Sequence, residues 1–127
     1  MLPHDSLERY FAEIEAAVAQ LPAYTENYVE EILAAERANL RIRLRFESGC
    51  LLEINEAVIV ESSLLKTLGY RYHFQNADSE LVFRYDNTPH FPGLSSFPHH
   101  KHLRDAVVAS TKPDLRDVLQ EAKDSNL

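Results

Sequence analysis

The sequence predicts an α+β domain: an antiparallel meander of four to five strands, with a helix at each end of the chain covering one face of the sheet. Three observations carry that expectation. Apolar residues recur at helical spacing near both termini, they alternate with polar residues through the middle, and tight-turn sequences divide the alternating runs. A sheet with one apolar face needs a cover, and the terminal helices can supply it. The 127 residues suffice for one core but not two, so residues 1–127 read as a single domain.

The first helix is expected to begin near Asp5 or Ser6, either of which can cap it. Leu7, Tyr10, Phe11, Ile14, Val18 and Leu21 then form an apolar stripe, expected to face the sheet rather than a partner. Pro22 marks its end. Residues 24–38 stay open between helix and strand. Tyr28, Val29, Ile32 and Leu33 fit a helix, and Ala34-Ala35-Glu36-Arg37 also favours one, while a strand pairing with the next segment of the chain is the alternative.

From Leu40 the pattern is plain. Leu40, Ile42, Leu44 and Phe46 alternate with Arg41, Arg43, Arg45 and Glu47, which gives a strand with one apolar and one charged face. Ser48-Gly49 reads as a hairpin turn, and residues 51–60 as the return strand. Residues 69–75 set Tyr70, Tyr72 and Phe74 against Arg71, His73 and Gln75 in a third strand. After the turn at Asn76-Ala77-Asp78-Ser79, residues 81–86 make a fourth. Residues 87–102 read as a loop and 105–110 as a connecting segment. Pro113 opens a last helix that shows Leu115, Val118 and Leu119 on one face.

The formal net charge is −7. The first 36 residues hold eight acids against one base, and the remainder balances at twelve of each. Such a chain is not expected to bind nucleic acid non-specifically, because that binding depends on Lys and Arg neutralising phosphates. A local basic face on the second part is compatible with this balance. No apolar run approaches the roughly 18–20 residues of a membrane-spanning helix, and the N-terminus lacks a basic region followed by an apolar stretch. One cysteine, Cys50, excludes an intramolecular disulfide. The expectation is a cytoplasmic protein without membrane contact.

Chemistry-bearing residues concentrate between Arg84 and His102. Four of the six histidines fall there: His90, His99, His100 and His102. Histidine titrates closest to neutrality, so such a cluster suggests acid–base work or metal binding. For a metal, His99, His100 and His102 with His90 or Asp86 could reach one ion. Against it, the chain has no Cys-x-x-Cys or His-Glu-x-x-His, and adjacent His99 and His100 point different ways on an extended chain. No metal and no cofactor are therefore expected. A structural reading stands beside these: Pro89, Pro92 and Pro98 stiffen the loop, and its imidazoles satisfy backbone groups. The Arg41-x-Arg43-x-Arg45 run likewise reads as a solvated sheet face, with Glu53 or Glu56 pairing across the ladder.

Taken together, Tyr70-x-Tyr72-His73-Phe74-Gln75, Arg84-x-Asp86-Asn87-x-Pro89-His90 and Phe97-Pro98-His99-His100-Lys101-His102 resemble the signature of the TumE-type toxin family of prokaryotic toxin–antitoxin systems. Gly49-x-Leu51-x-Glu53-Ile54 and the late helix agree with it, and the resemblance covers roughly residues 38–122. Cys50 departs from the small polar residue usual at that turn, which argues against it as a general nucleophile. The resemblance implies a toxin neutralised by a cognate antitoxin, commonly a helix-turn-helix DNA-binding protein. By analogy with small toxins of this type it implies RNA cleavage or a block of translation. For metal-independent cleavage, His73, Arg84, Asp86, His90, His99, His100, Lys101 and His102 are the candidate catalytic residues. His73 or His90 is the acid–base group, and Arg84 and Lys101 are the phosphate contacts. Arg41, Arg43 and Arg45 could bind the backbone, and Tyr72 or Phe97 could stack on bases. The alternative is a non-catalytic protein-binding module, docking through its acidic helix. A homodimer is one way for so small a domain to protect an edge strand.

Overall fold

The computed structural model describes residues 2–126. Its element order is α1 (Pro3–Ala19), β1 (Ala23–Ala34), β2 (Arg37–Phe46), β3 (Leu51–Glu61), β4 (Leu64–Gln75), β5 (Leu81–Asp86), β6 (His100–Leu103), β7 (Ala106–Ala109) and α2 (Leu115–Asp124). The strands form one antiparallel sheet in chain order, β1 to β7. The α+β meander is as expected, but it has seven strands rather than four to five. Three segments make the difference. Residues 24–38 are not helix: 24–34 belong to β1, which pairs with β2 along its length, 35–36 make the turn, and 37–38 open β2 itself. The end of the 87–102 loop is β6, and the connecting segment after it is β7.

Both helices lie on one face. Leu7, Phe11, Ile14 and Val18 of α1 and Leu115, Val118, Leu119 and Ala122 of α2 are buried. They meet Leu40, Ile42, Leu44, Leu52, Ile54, Tyr72, Phe74 and Phe83 in one core. Each fully buried Leu, Ile or Phe stabilises the fold by about 1.5–3 kcal/mol. The α1 stripe therefore covers the sheet, as its spacing predicted. The helix starts earlier than Asp5 or Ser6: Pro3 takes the first position, and the Asp5 carboxylate accepts a hydrogen bond from the Leu2 amide at 3.2 Å. In α2, Asp114 caps the helix by accepting from the Arg116 amide at 2.8 Å, so Pro113 stands just outside it.

The turns follow their chemistry. Gly49 has φ of 91°, and a β-carbon there would come 2.8 Å from that of Ala77, so both the backbone and the space favour glycine. Ser62 and Ser63 have φ of 50° and 64°, the left-handed pair of a two-residue hairpin whose twist matches its strands. In β4, Ala57 pairs with Gly69 while Val58 pairs with Thr67, leaving Leu68 as the extra residue of a bulge. The bulge switches the alternation. Leu65 and Thr67 precede it, and beyond it Tyr70, Tyr72 and Phe74 turn toward the helices while Arg71 and His73 turn away. Asn87 closes it: its amide donates to the Leu68 carbonyl at 3.1 Å, and its oxygen accepts from the Tyr70 amide at 3.2 Å.

Candidate functional site

The face of the sheet away from the helices is open and polar. Strand register aligns Arg43, Glu53, His73, Arg84 and His102 in one row across β2 to β6. The neighbouring row is Arg41, Asn55, Arg71, Asp86 and His100. A shallow cavity of about 500 Å³ lies on this face, lined by Asn39, Arg41, Asn55, Ala57 and Arg71 among others.

Asp86 and His100 are direct cross-strand partners, and His102 stands two residues beyond His100, hence on the same face. Their polar atoms converge. His100 Nε2 lies 2.9 Å from Asp86 Oδ1, His102 Nε2 lies 3.4 Å from Asp86 Oδ2, and the two imidazole nitrogens are 3.0 Å apart. The Asp86 and His100 side chains are 5% and 1% exposed, whereas His102 is 21% exposed and opens the cluster to solvent. Thr88 donates to Asp86 Oδ1 through its amide at 3.0 Å and its hydroxyl at 2.7 Å. Burial alone would raise the Asp86 carboxyl, but these bonds, and then the two imidazoles, hold it below its ordinary value. On the other side of His100, Nδ1 faces the Pro98 carbonyl at 3.0 Å. The Phe91 ring packs edge-on against both imidazoles.

His73 and Arg84 sit beside this cluster. Arg84 Nε donates to His73 Nδ1 at 3.2 Å, and His73 Nε2 contacts the Gln75 side-chain oxygen at 2.9 Å. With Nδ1 accepting, Nε2 carries the hydrogen, so this imidazole is neutral and both nitrogens are occupied. Burial holds its pKa below the usual value, and Arg84 and Arg71 act in the same direction. His73 thus aims the Arg84 guanidinium. Arg41 and Arg71 are exposed and make no ion pair among the described residues. Arg43 and Arg45 are paired: both donate to Glu26 of β1, at 2.8 and 3.1 Å, and Arg43 reaches Glu53 at 3.6 Å.

The remaining candidates lie elsewhere. His90 is exposed in the loop, and Phe97 is 44% exposed. Lys101 and His99 point to the helix side. Lys101 binds Glu121 of α2 at 2.8 Å and packs on the Phe83 and Tyr85 rings. His99 stacks on Tyr70 and hydrogen-bonds its hydroxyl at 2.8 Å. Tyr72 is 0% exposed, with its hydroxyl on Glu56, so its ring is closed to a base. Glu56 also departs from expectation. It faces the core, where the Tyr10 and Tyr72 hydroxyls both donate to it, rather than the arginines. Sequence reasoning passed over Arg71, although its alternation with Tyr70 and Tyr72 already put it on the polar face. It also passed over Thr88 and the Pro98 carbonyl, whose roles need the folded loop.

Within the described residues no helix is long and apolar enough to cross a membrane. Searches of curated proteins and of solved structures give no match. The family model described as Toxin TumE matches residues 7–126, which takes in the acidic first helix as well as the sheet and the histidine strand. The chain belongs to the TumE toxin family.

Proposed function

We propose that this toxin acts on RNA, cleaving it or blocking its translation, at the open face of β4, β5 and β6. The observation behind this reading is that one exposed surface carries both kinds of group that phosphodiester cleavage needs. Arg71 and Arg84 offer cations for the phosphate, and Asp86, His100 and His102 form a cluster beside them that opens to solvent at His102. In the cleavage reaction, the 2′-hydroxyl loses its proton to a base and its oxygen attacks the adjacent phosphorus. The 5′-oxygen leaves as it gains a proton from an acid, and cations stabilise the charge that builds on the phosphoryl oxygens. His102, the most exposed member of the cluster, and His90, exposed in the loop that follows β5, are the groups open to solvent for these transfers. The neutral His73 serves as the positioner of Arg84.

The partner under this reading is a cognate antitoxin, of the helix-turn-helix DNA-binding class, and the setting is the cytoplasm, where the RNA is. The outer edges of β1 and β7 leave room for a homodimer. The test is an RNA-cleavage assay with purified protein and a single-stranded RNA. Removing one preorganised donor to a charged transition state costs about 10²–10³ in rate. Arg84→Gln should therefore lose roughly that much, and Arg84→Lys should keep part of it. The reading fails if the double variant Arg71→Gln/Arg84→Gln cleaves as fast as the wild type, or if a wild-type chain that arrests growth neither cleaves nor binds RNA.

A further inference from the structure

The contacts among Asp86, His100 and His102 cannot all be hydrogen bonds between neutral imidazoles and a carboxylate. The Pro98 carbonyl can only accept, so His100 Nδ1, 3.0 Å away, carries the hydrogen and donates. In the neutral ring His100 Nε2 is then a bare lone pair. That lone pair faces a carboxylate oxygen at 2.9 Å and a second imidazole nitrogen at 3.0 Å. A hydrogen on His102 Nε2 can serve the contacts of His102. It does nothing for the contact between His100 and Asp86, in a place where both side chains are almost wholly buried. The arrangement calls for a cation in the middle.

We propose that Asp86, His100 and His102 form a binding site for one divalent transition-metal ion, zinc being the first choice. The spacing fits. Ligands at about 2.1 Å from one ion stand roughly 3.0 Å apart at right angles and about 3.4 Å apart at tetrahedral angles. His100 Nε2 lies 2.9 Å from Asp86 Oδ1 and 3.0 Å from His102 Nε2, and His102 Nε2 lies 3.4 Å from Asp86 Oδ2, so each imidazole meets its own carboxylate oxygen at a separation of that size. The outer partners are those a metal site needs. The Pro98 carbonyl fixes the tautomer and the ring of His100, and Thr88 orients the Asp86 carboxylate. Two imidazoles and one carboxylate suit zinc, iron(II), manganese or nickel, and three protein ligands leave positions open to water on the side of exposed His102. The site stands whether or not RNA is the substrate; with an ion bound the His102 Nε2 lone pair is taken, so His102 is a proton-transfer group only in the ion-free chain.

The competing occupant of the triangle is an extra proton on His100, which would make the cluster an ion pair with no ligand. Titration of the purified full chain with Zn²⁺ at neutral pH, followed by calorimetry and repeated with Co²⁺ to read its visible absorption, separates the two. The expected result is one ion per chain, cobalt bands of a low-coordinate nitrogen and oxygen site, and a rise in thermal midpoint. Asp86→Asn and His102→Gln should each weaken binding by more than the roughly 10–100-fold that loss of an outer partner costs. His90→Gln and His99→Gln, two histidines of the same segment, should leave binding unchanged. Each variant is first checked for native circular dichroism; His102→Gln, at the most exposed position of the three, covers the case in which Asp86→Asn does not fold. Binding retained at full strength by the folded His102→Gln variant would overturn the site, as would the absence of stoichiometric binding by the wild type with either ion.

Discussion

Two buried carboxylates lie on opposite faces of the same sheet, and their surroundings differ in kind. Glu56, 3% exposed, faces the helices and receives two hydroxyl hydrogens, from Tyr10 and Tyr72. It meets donors only. Asp86, also 3% exposed, faces the open side and receives Thr88, but its remaining neighbours are imidazole nitrogens that cannot all supply hydrogens while both rings are neutral. A buried polar group whose partners close its hydrogen bonding is architecture. One left facing other lone pairs at short range marks a place where something else binds. Burial alone does not separate the two cases, whereas counting hydrogens does.

The largest effect expected from breaking the architectural side is on stability. Glu56→Ala strands two tyrosine hydroxyls in the core and leaves a cavity. It should cost about 3–5 kcal/mol, read as a fall in the urea midpoint. Glu56→Gln keeps the shape and should cost less. Neither should change zinc binding per folded molecule, and a loss of binding in folded Glu56→Gln would mean that the two faces are coupled.

A smaller effect sharpens the contrast on the open face. His73 is held neutral by burial and by its bond from Arg84, so its folded pKa lies below that of the unfolded chain. The unfolded chain takes up the proton first as pH falls through about 6.5. The contribution of His73 is thus fully present above that pH, and it is lost as pH drops from there toward the folded value. Stability measured against pH should therefore decline in this window, and His73→Gln should flatten the decline. An unchanged slope in the variant would show that His73 is not held neutral.

The smallest effect concerns the arginine strand. Arg43 is 41% exposed beside Glu26, which is 30% exposed, and solvent screens exposed pairs of this kind so that they contribute little. Arg43→Gln should shift stability correspondingly little. Under the RNA reading it should also matter less to cleavage than Arg71→Gln, because Arg43 is already engaged. Equal losses from the two substitutions would mean that the ion pairs open when substrate binds.

Much of this was legible in the sequence. The alternation of Leu40 to Phe46 with three arginines and the strands through Asp86 emerge from period-2 patterning and the Ser48-Gly49 turn from its residues, but β4 begins at Leu64 rather than Gly69, because the bulge at Leu68 breaks its period. β1 was not legible because it is an edge strand with acids and apolar residues on both sides, so Ile32 and Leu33 are exposed together and neither period wins. β6 and β7 have four residues each, too few to show a period. That hid the central fact of the site. Once His100 to Leu103 is a strand, parity sends His100 and His102 to one face and Lys101 to the other. Read as a loop, the same residues look like one cluster. Glu56 was visible as a break in the apolar series Leu52, Ile54, Val58, Val60, but only the fold brings Tyr10 to it.

The most direct test of the open face as the seat of toxicity is growth arrest on induced expression of Asp86→Asn beside Glu56→Gln, at matched levels of folded protein. Asp86→Asn should abolish arrest while its folded structure is kept, and Glu56→Gln should arrest growth like the wild type. Full arrest by Asp86→Asn would contradict the assignment of toxicity to the open face.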